Sequence, residues 1–373
     1  MVFFFLGFTI IHVIFFVVLS FRWKAIESSK PAEFLSEYVP ISIIVPFRNE
    51  SKVIRDLLTS LEAQRYPKDK YEVLLVDDFS EDDTKDLVEE FCKSSESQMR
   101  LISLDEPSNS GKKAALTKGV SIAKYDFIVT TDADCVMNQN WLYGYAEAAK
   151  DQKFVAGPVA LQGDGFFAKL QEMEYAGLMA FGAVSIKHGS PSICSGANLG
   201  FDRSAFFEVG GYEENRSIPS GDDEFLLYSI QSRYPTKVRF LKNRSSLVKT
   251  CTHKYLSSLL NQRIRWTSKW KYHKNLHLRV TAILFFLDYF IFSVSMILTI
   301  LGMFPVFYFL LGVAARYFSN LLYLKPLQRF SAQQPAYLVM LALQIIYPFH
   351  VLFLGATSIF GRYTWKGRRY TKQ

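Results

Sequence analysis

At 373 residues the chain is long enough for one sizeable core plus an appendage, and 49% hydrophobic residues with 33 Phe and a mean hydropathy of +0.08 are too oily for an ordinary soluble domain. The net charge of +8 could point to nucleic acid, but the basic residues crowd beside apolar segments, which speaks for anionic lipid and against nucleic acid. Cys92, Cys135, Cys194 and Cys251 lie far apart, with no Cys-x-x-Cys pair and no clustered histidines, which argues against zinc and a disulfide framework and fits a reducing cytosol.

In chain order, Val2 to Ser20 carries no charge and matches the roughly 20 apolar residues needed to cross a bilayer. No basic stretch precedes it and no small-x-small site follows, so the segment is predicted to be an uncleaved anchor. Arg22 and Lys24 place its carboxyl end in the cytoplasm. A polar linker follows. Ile41 to Val45 then reads as a strand ended by Pro46, and Val53, Ile54, Leu57, Leu58 and Leu61 recur at helical spacing up to a stop near Tyr66-Pro67. Tyr71 to Val76 is a strand closed by Asp77 and Asp78, Leu87, Val88 and Phe91 mark a helix, Arg100 to Leu104 a strand, and Ala114 to Ile122 a helix. The run Phe127-Ile-Val-Thr-Thr-Asp-Ala-Asp134 is a buried strand that stops at two carboxylates. Strands alternating with helices of this length predict an α/β fold with a mostly parallel sheet and right-handed crossovers.

In such a sheet ligands sit at the carboxyl ends of the strands. That rim carries Pro46, Asn49 and Glu50, then Asp77 and Asp78, then Asp132 and Asp134. On an extended segment Asp132 and Asp134 point the same way and can share one hard cation with substrate phosphates; an acidic turn that merely ends a strand reads the same in isolation. A nucleotide bound through a metal would satisfy these acids, with Asp77 and Asp78 near base and ribose and the later pair near the diphosphate. Gly111-Lys112-Lys113 opens a helix, where free amides and an ammonium suit an anion. The Gly-x-x-x-x-Gly-Lys loop of ATPases is absent.

Downstream, Ser192 to Asn198 and Gly210-Gly-Tyr212 hold glycines that signal either close backbone approach or a tight turn. Asp222, Asp223 and Glu224 head an amphipathic helix, as N-terminal charges or with one of them as a general base. Gln262, Arg265 and Trp266 fall at i, i+3 and i+4 of a basic amphipathic helix and share one face. Amide and indole there could meet a sugar and the guanidinium a diphosphate, and an ordinary membrane-surface helix would look alike.

Taken in this order, Asp77-Asp78, Asp132-Ala-Asp134, Gly221-Asp-Asp-Glu224 and Gln262-Arg-Ile-Arg-Trp266 resemble the membrane-bound family 2 glycosyltransferases. That group includes cellulose, hyaluronan and poly-N-acetylglucosamine synthases and the related ceramide glucosyltransferases. The resemblance runs from about Val39 to Trp266 and implies a GT-A type nucleotide-binding fold. It implies that Pro46, Asn49, Glu50, Asp77, Asp78, Lys112 and Asp132 serve the nucleotide, and that Asp132 and Asp134 hold Mg2+ or Mn2+. Gln262, Arg265 and Trp266 would line the acceptor and diphosphate end. The family's Thr-Glu-Asp reads Gly221-Asp222-Asp223 here, so Asp223 is the base by position and Asp222 its competitor. The implied chemistry is inverting transfer from a UDP-sugar to a polysaccharide or membrane-lipid hydroxyl. Two other classes bear on the same acids. A nucleotidyltransferase has no use for the Gln262 to Trp266 face, and a non-catalytic sugar-nucleotide sensor does not need acids at every position.

Lys269, Lys271, Lys274 and Arg279 mark a cytoplasmic junction before a long apolar block. Val280 to Met303 can span, with Asp288 either functional or facing the headgroups. Phe304 to Leu324 is weakened as a span by Pro305 and Arg316, and Ala336 to Phe360 is the last. Whether two or three of these cross decides the side on which Arg362, Lys366, Arg368, Arg369 and Lys372 lie. The expected organisation is an anchor and linker (1–38), a cytoplasmic catalytic domain (39–250), interface helices (251–279) and a transmembrane region with a basic tail (280–373), in the inner (plasma) membrane. A polymer acceptor would need a path across the membrane, hence a homo-oligomer or an export partner.

Overall fold

The computed structural model describes residues 1–28, 37–107, 110–216, 218, 220–269, 276–360, 363–365 and 368–370. Two compact units emerge: Met1–Ala25 with Gly163–Val184 and Thr252–Gln373, and Ile26–Gln162 with Ser185–Cys251. In chain order the elements are α1 (Val2–Ala25), β1 (Ile41–Phe47), α2 (Ile54–Glu62), β2 (Tyr71–Asp77), α3 (Thr84–Ser94), β3 (Gln98–Ser103), α4 (Lys112–Ile122) and β4 (Phe127–Thr130). They continue with β5 (Cys135–Met137), α5 (Trp141–Ala149), β6 (Phe154–Ala156), β7 (Val159–Gln162), α6 (Phe166–Lys187), β8 (Leu199–Asp202), α7 (Arg203–Glu208), α8 (Asp222–Arg233), β9 (Val238–Phe240) and β10 (Val248–Cys251). Helices α9 (Leu256–Ser268), α10 (Leu276–Ile300), α11 (Val306–Phe330) and α12 (Tyr337–Phe360) complete the described helices.

The second unit is mixed α/β, built on a sheet of order β3-β2-β1-β4-β8-β6-β9. Strands β1 to β4 run parallel, β8 is antiparallel to both β4 and β6, and β9 runs parallel to β6. Every residue of β1, β2 and β4 is buried, which is why these strands read as unbroken Val, Ile and Leu runs rather than as alternating ones. Strand β1 does not stop at Pro46 as expected but continues to Phe47. Ile44 accepts its last bond from Thr131 on the β4 side, and Pro46 faces that side where the ladder has already ended, so its missing N–H costs nothing. A smaller sheet of order β5-β10-β7 carries the turn after β4.

In the first unit, α1, α10, α11 and α12 are each long and apolar enough to cross a membrane. Pro305 and Arg316 do not interrupt α11. Pro305 sits at its N-cap, where no intrahelical bond is lost. Arg316 is 1% exposed and faces Asp288, itself 4% exposed. Nη1 of Arg316 donates to Asp288 at 2.9 Å, His12 Nδ1 lies 2.9 Å from the same oxygen, and Arg316 Nε reaches Thr9 Oγ1 at 3.3 Å. Two residues that each look wrong in an apolar helix are each other's partners. Helix α6 groups with this unit, although it falls within the 39–250 stretch. Lys271, Lys274, Arg362, Lys366 and Lys372 lie outside the described residues.

Candidate active site

The order β2-β1-β4 sets three carboxyl ends side by side. The β1–α2 and β2–α3 loops are fastened together there. Asn49, in the left-handed region at φ 54°, accepts the Glu81 N–H on its side-chain oxygen at 2.7 Å and donates its own N–H to Ser80 Oγ at 3.2 Å. The Glu50 N–H donates to Thr84 Oγ1 at 2.8 Å. Arg48 bonds the Asp78 carbonyl at 3.0 Å and Glu81 at 2.6 Å. Asp77 and Asp78 are both 4% exposed. Asp77 accepts the Ser80 N–H at 3.0 Å, closing its own turn, whereas Asp78 accepts the Gly111 N–H at 2.7 Å and so fixes the head of α4.

That bond corrects one expectation, because the Gly111 amide is engaged by Asp78 rather than open to an anion. The adjacent lysines also separate. Lys113 Nζ donates to the carbonyls of Asn215 at 2.6 Å and Ile218 at 2.9 Å. Lys112 Nζ instead lies 2.7 Å from Asp132 and 3.1 Å from Asp222. Burial pulls the Lys112 pKa down, but the charges of Asp132, Asp222 and Asp223 outweigh it and hold the ammonium well above the ordinary lysine value.

Asp222 and Asp223 open α8 behind Gly221, whose φ of 83° lies in the left-handed region that a side chain resists. Asp223 accepts the Gly196 N–H at 3.0 Å on one oxygen and the Glu224 N–H at 2.8 Å on the other. A Cβ on Gly196 would come within 2.8 Å of Lys112 Nζ and 3.1 Å of Asp222 Oδ2. Gly196 also lies in a turn that the Asn198 N–H closes on the Ser195 carbonyl at 3.1 Å, so it serves both a turn and a close approach. The loop bearing it is set by Asn198, fully buried, which accepts from Trp141 Nε1 at 2.9 Å and Tyr145 OH at 2.7 Å. Its amide donates to the carbonyls of Pro158 at 2.7 Å and Ser246 at 2.9 Å, which completes its bonding capacity. Nothing in the sequence distinguished Asn198 from its neighbours.

Strand β4 ends at Thr130, so Asp132 and Asp134 lie on a turn in which the Asp132 carbonyl accepts the Cys135 N–H at 3.2 Å. The alternation of an extended segment does not apply there. Asp132 faces Lys112, while Asp134 accepts from Thr250 Oγ1 of β10 at 2.9 Å. Burial first, then Asp134 and Asp132, push the Cys135 thiol well above the usual cysteine value. The two carboxylates are hard oxygen donors of the kind a divalent ion takes while keeping part of its shell for phosphate and water, and here Asp132 is engaged by the Lys112 ammonium. Among the described residues, no three His, Cys, Asp or Glu side chains gather into a complete metal site.

In the first unit, α9 carries Gln262, Arg265 and Trp266, all half-buried. Arg263, which the i, i+3, i+4 reading passed over, touches two of them, Gln262 and Trp266. Arg263 is 3% exposed and donates to Glu174 of α6 from Nε at 3.2 Å and Nη2 at 2.9 Å. A glutamate buried in α6 between Met173 and Tyr175 was the one signal that a cation must come to meet it.

A family model described as Glycosyl transferase family 2 matches residues 42–210, and one described as Glycosyl transferase family group 2 matches residues 127–358. The chain is 26% identical over 249 residues to the poly-beta-1,6-N-acetyl-D-glucosamine synthase of Staphylococcus aureus, covering 64% of this chain and 56% of that protein. It is 35% identical over 102 residues to glycosyltransferase AglE of Haloferax volcanii, covering 27% of this chain and 33% of that one. At 56% in the longer of these matches, the chain spans about half the length of such relatives. Among solved structures, the fold is similar to that of mannosyltransferase PcManGT from Pyrobaculum calidifontis, in complex with GDP-Man and Mn2+. The TM-score is 0.62 at 18% identity, over 96% of this chain and 98% of that one.

Proposed function

The chain belongs to glycosyl transferase family group 2, and on that premise we propose a membrane-embedded, metal-dependent, inverting hexosyltransferase. It moves a sugar from a UDP-sugar to a hydroxyl of a growing polysaccharide, with the catalytic unit on the cytoplasmic side of the membrane. The observation that carries the reading is Lys112, whose ammonium lies 2.7 Å from Asp132 and 3.1 Å from Asp222. One cation thereby ties the acid at the end of β4 to the acids at the head of α8, a donor side and a base side joined at one point.

Asp77 and Asp78 hold the uridine and Lys112 the phosphates. Asp132 and Asp134 hold Mg2+ or Mn2+, which when bound neutralises the departing diphosphate as a Lewis acid. Asp223 takes the proton of the attacking hydroxyl, its direction fixed by the Gly196 and Glu224 amides. The acceptor oxygen bonds to the anomeric carbon as the bond from that carbon to the diphosphate oxygen breaks, and the electron pair leaves with the nucleoside diphosphate. One displacement inverts the centre. Asp222 is committed to Lys112, which leaves Asp223 the better base. Gln262, Arg265 and Trp266 serve the acceptor and the diphosphate.

The polymer acceptor is supported by the S. aureus relative, named for synthesis of an N-acetylglucosamine polymer. A membrane-lipid hydroxyl is the second reading, favoured by exposed Tyr255 and Leu256 at the head of α9, an apolar edge that a bilayer surface would cover. Full-length protein in detergent, offered a panel of UDP-sugars with oligosaccharides and mixed lipids, should release UDP and yield a product of inverted anomeric configuration. Mass spectrometry identifies the acceptor and proton NMR the anomer. A product carrying transferred nucleotide, or one of retained configuration, rejects the reading.

A further inference from the structure

Arg263 uses its guanidinium on three neighbours at once. Two nitrogens meet the two oxygens of Glu174 in a fork, at 3.2 and 2.9 Å. The third, Nη1, donates to Gln262 Oε1 at 2.7 Å. The flat face lies over the Trp266 indole, 4.3 Å from guanidinium carbon to ring centroid. Tyr175, next to Glu174 on α6, packs on the same indole at 6.3 Å between centroids.

We propose that Glu174 and Arg263 are positioning residues for the Gln262 to Trp266 face of α9. A guanidinium has no acceptor, so the group that Gln262 turns toward it must be the amide oxygen, and the NH2 group is left as the outward donor. The amide thus presents N–H groups to the oxygen of a sugar hydroxyl. The indole carries the guanidinium over its ring and meets Tyr175 at a tilt of 46°, which fixes the ring's orientation. A pair that merely pinned α6 to α9 would need only the two nitrogens that meet Glu174; the remaining nitrogen and the face are spent on two motif residues. Lysine has neither fork nor face and could not replace Arg263. Other titratable groups near Glu174 are His350 of α12, with Nε2 3.8 Å from the carboxylate, Tyr347 and Tyr289.

This inference rests on the acceptor-end role given above to Gln262 and Trp266, and the test separates the two. Arg263→Lys and Glu174→Gln are made in the full chain, alongside Gln262→Ala and Trp266→Ala. Binding of UDP with Mn2+ is followed by calorimetry, and UDP release is measured from whichever sugar of a UDP-glucose, UDP-galactose, UDP-N-acetylglucosamine and GDP-mannose panel the unaltered protein turns over (GDP release for the last). In parallel, 5-fluorotryptophan is incorporated and the Trp266 resonance, assigned by its loss in Trp266→Phe, is read by fluorine NMR. Misplacing a group by about 1 Å can cost on the order of a hundredfold. Arg263→Lys and Glu174→Gln are therefore expected to lower kcat by at least about tenfold, keep UDP affinity within about twofold, and shift and broaden the Trp266 resonance. In the Trp266→Ala background Arg263→Lys should cost little more, because the two act as a unit. An unmoved Trp266 resonance, or a loss that adds fully to that of Trp266→Ala, overturns the positioning role. Full turnover by Gln262→Ala and Trp266→Ala overturns the acceptor-end reading beneath it.

Discussion

Gly196 contributes no side chain, and the site depends on that. Its N–H directs Asp223 while its missing Cβ leaves room for Lys112 Nζ, which a methyl would approach to 2.8 Å. The atom displaced by Gly196→Ala is the far end of a flexible side chain, so the fold should tolerate the change while the Asp132–Lys112–Asp222 bridge opens. Transfer should fall by roughly tenfold or more with little movement of the thermal midpoint; a variant of full activity would show that the bridge is dispensable. The acids here were legible in the sequence because a carboxylate run that breaks a Val or Ile run announces a strand end. Lys112 was singled out from Lys113 only by the family resemblance, not by anything local, and it is Lys112 that meets Asp132 and Asp222. Neighbouring residues of one type differ only in what the fold brings to them, and the carbonyls of Asn215 and Ile218 that occupy Lys113 lie about a hundred positions on, at separations of 102 and 105. Arg263 escaped for the same reason, its partner Glu174 being 89 residues upstream.

Among the elements, the alternation of strands and helices through β4 follows from local patterning and could be read directly. Side-chain direction at the end of β4 could not. The period-2 rule holds only while the backbone stays extended, and the turn after Thr130 sends Asp132 to Lys112 and Asp134 to Thr250. Helix α11 shows the converse error, a span that looks weakened when read alone. Arg316 is tolerable because α10 supplies Asp288 and α1 supplies His12 and Thr9, so three helices share one polar knot. Breaking a buried ion pair from one side costs about 3–5 kcal/mol, whereas removing both charges costs much less. Arg316→Met alone should therefore lower stability to SDS titration in micelles by about that amount, and the double variant Arg316→Met with Asp288→Leu should recover most of it. Equal losses in the single and double variants would mean that Asp288 and Arg316 are not coupled.

At the scale of the whole chain, a mixed sheet of GT-A-like fold and helices suited to a bilayer at both ends agree with the expected architecture. Family membership rests on matches across residues 42–210 and 127–358, which together take in both units. Donor sugar and acceptor are not written in these motifs, since selectivity among hexoses comes from pocket shape. The proposed reaction divides labour, with the metal that meets the nucleotide held by Asp132 and Asp134 and the proton taken by Asp223. The direct measurement compares Asp223→Asn with Asp134→Ala for UDP affinity, with and without Mn2+, and for sugar transfer. Asp223→Asn should lose transfer by about 10²–10⁴-fold while binding UDP and metal as before, and Asp134→Ala should lose the metal-dependent part of binding. Unimpaired turnover in both variants would contradict the claim.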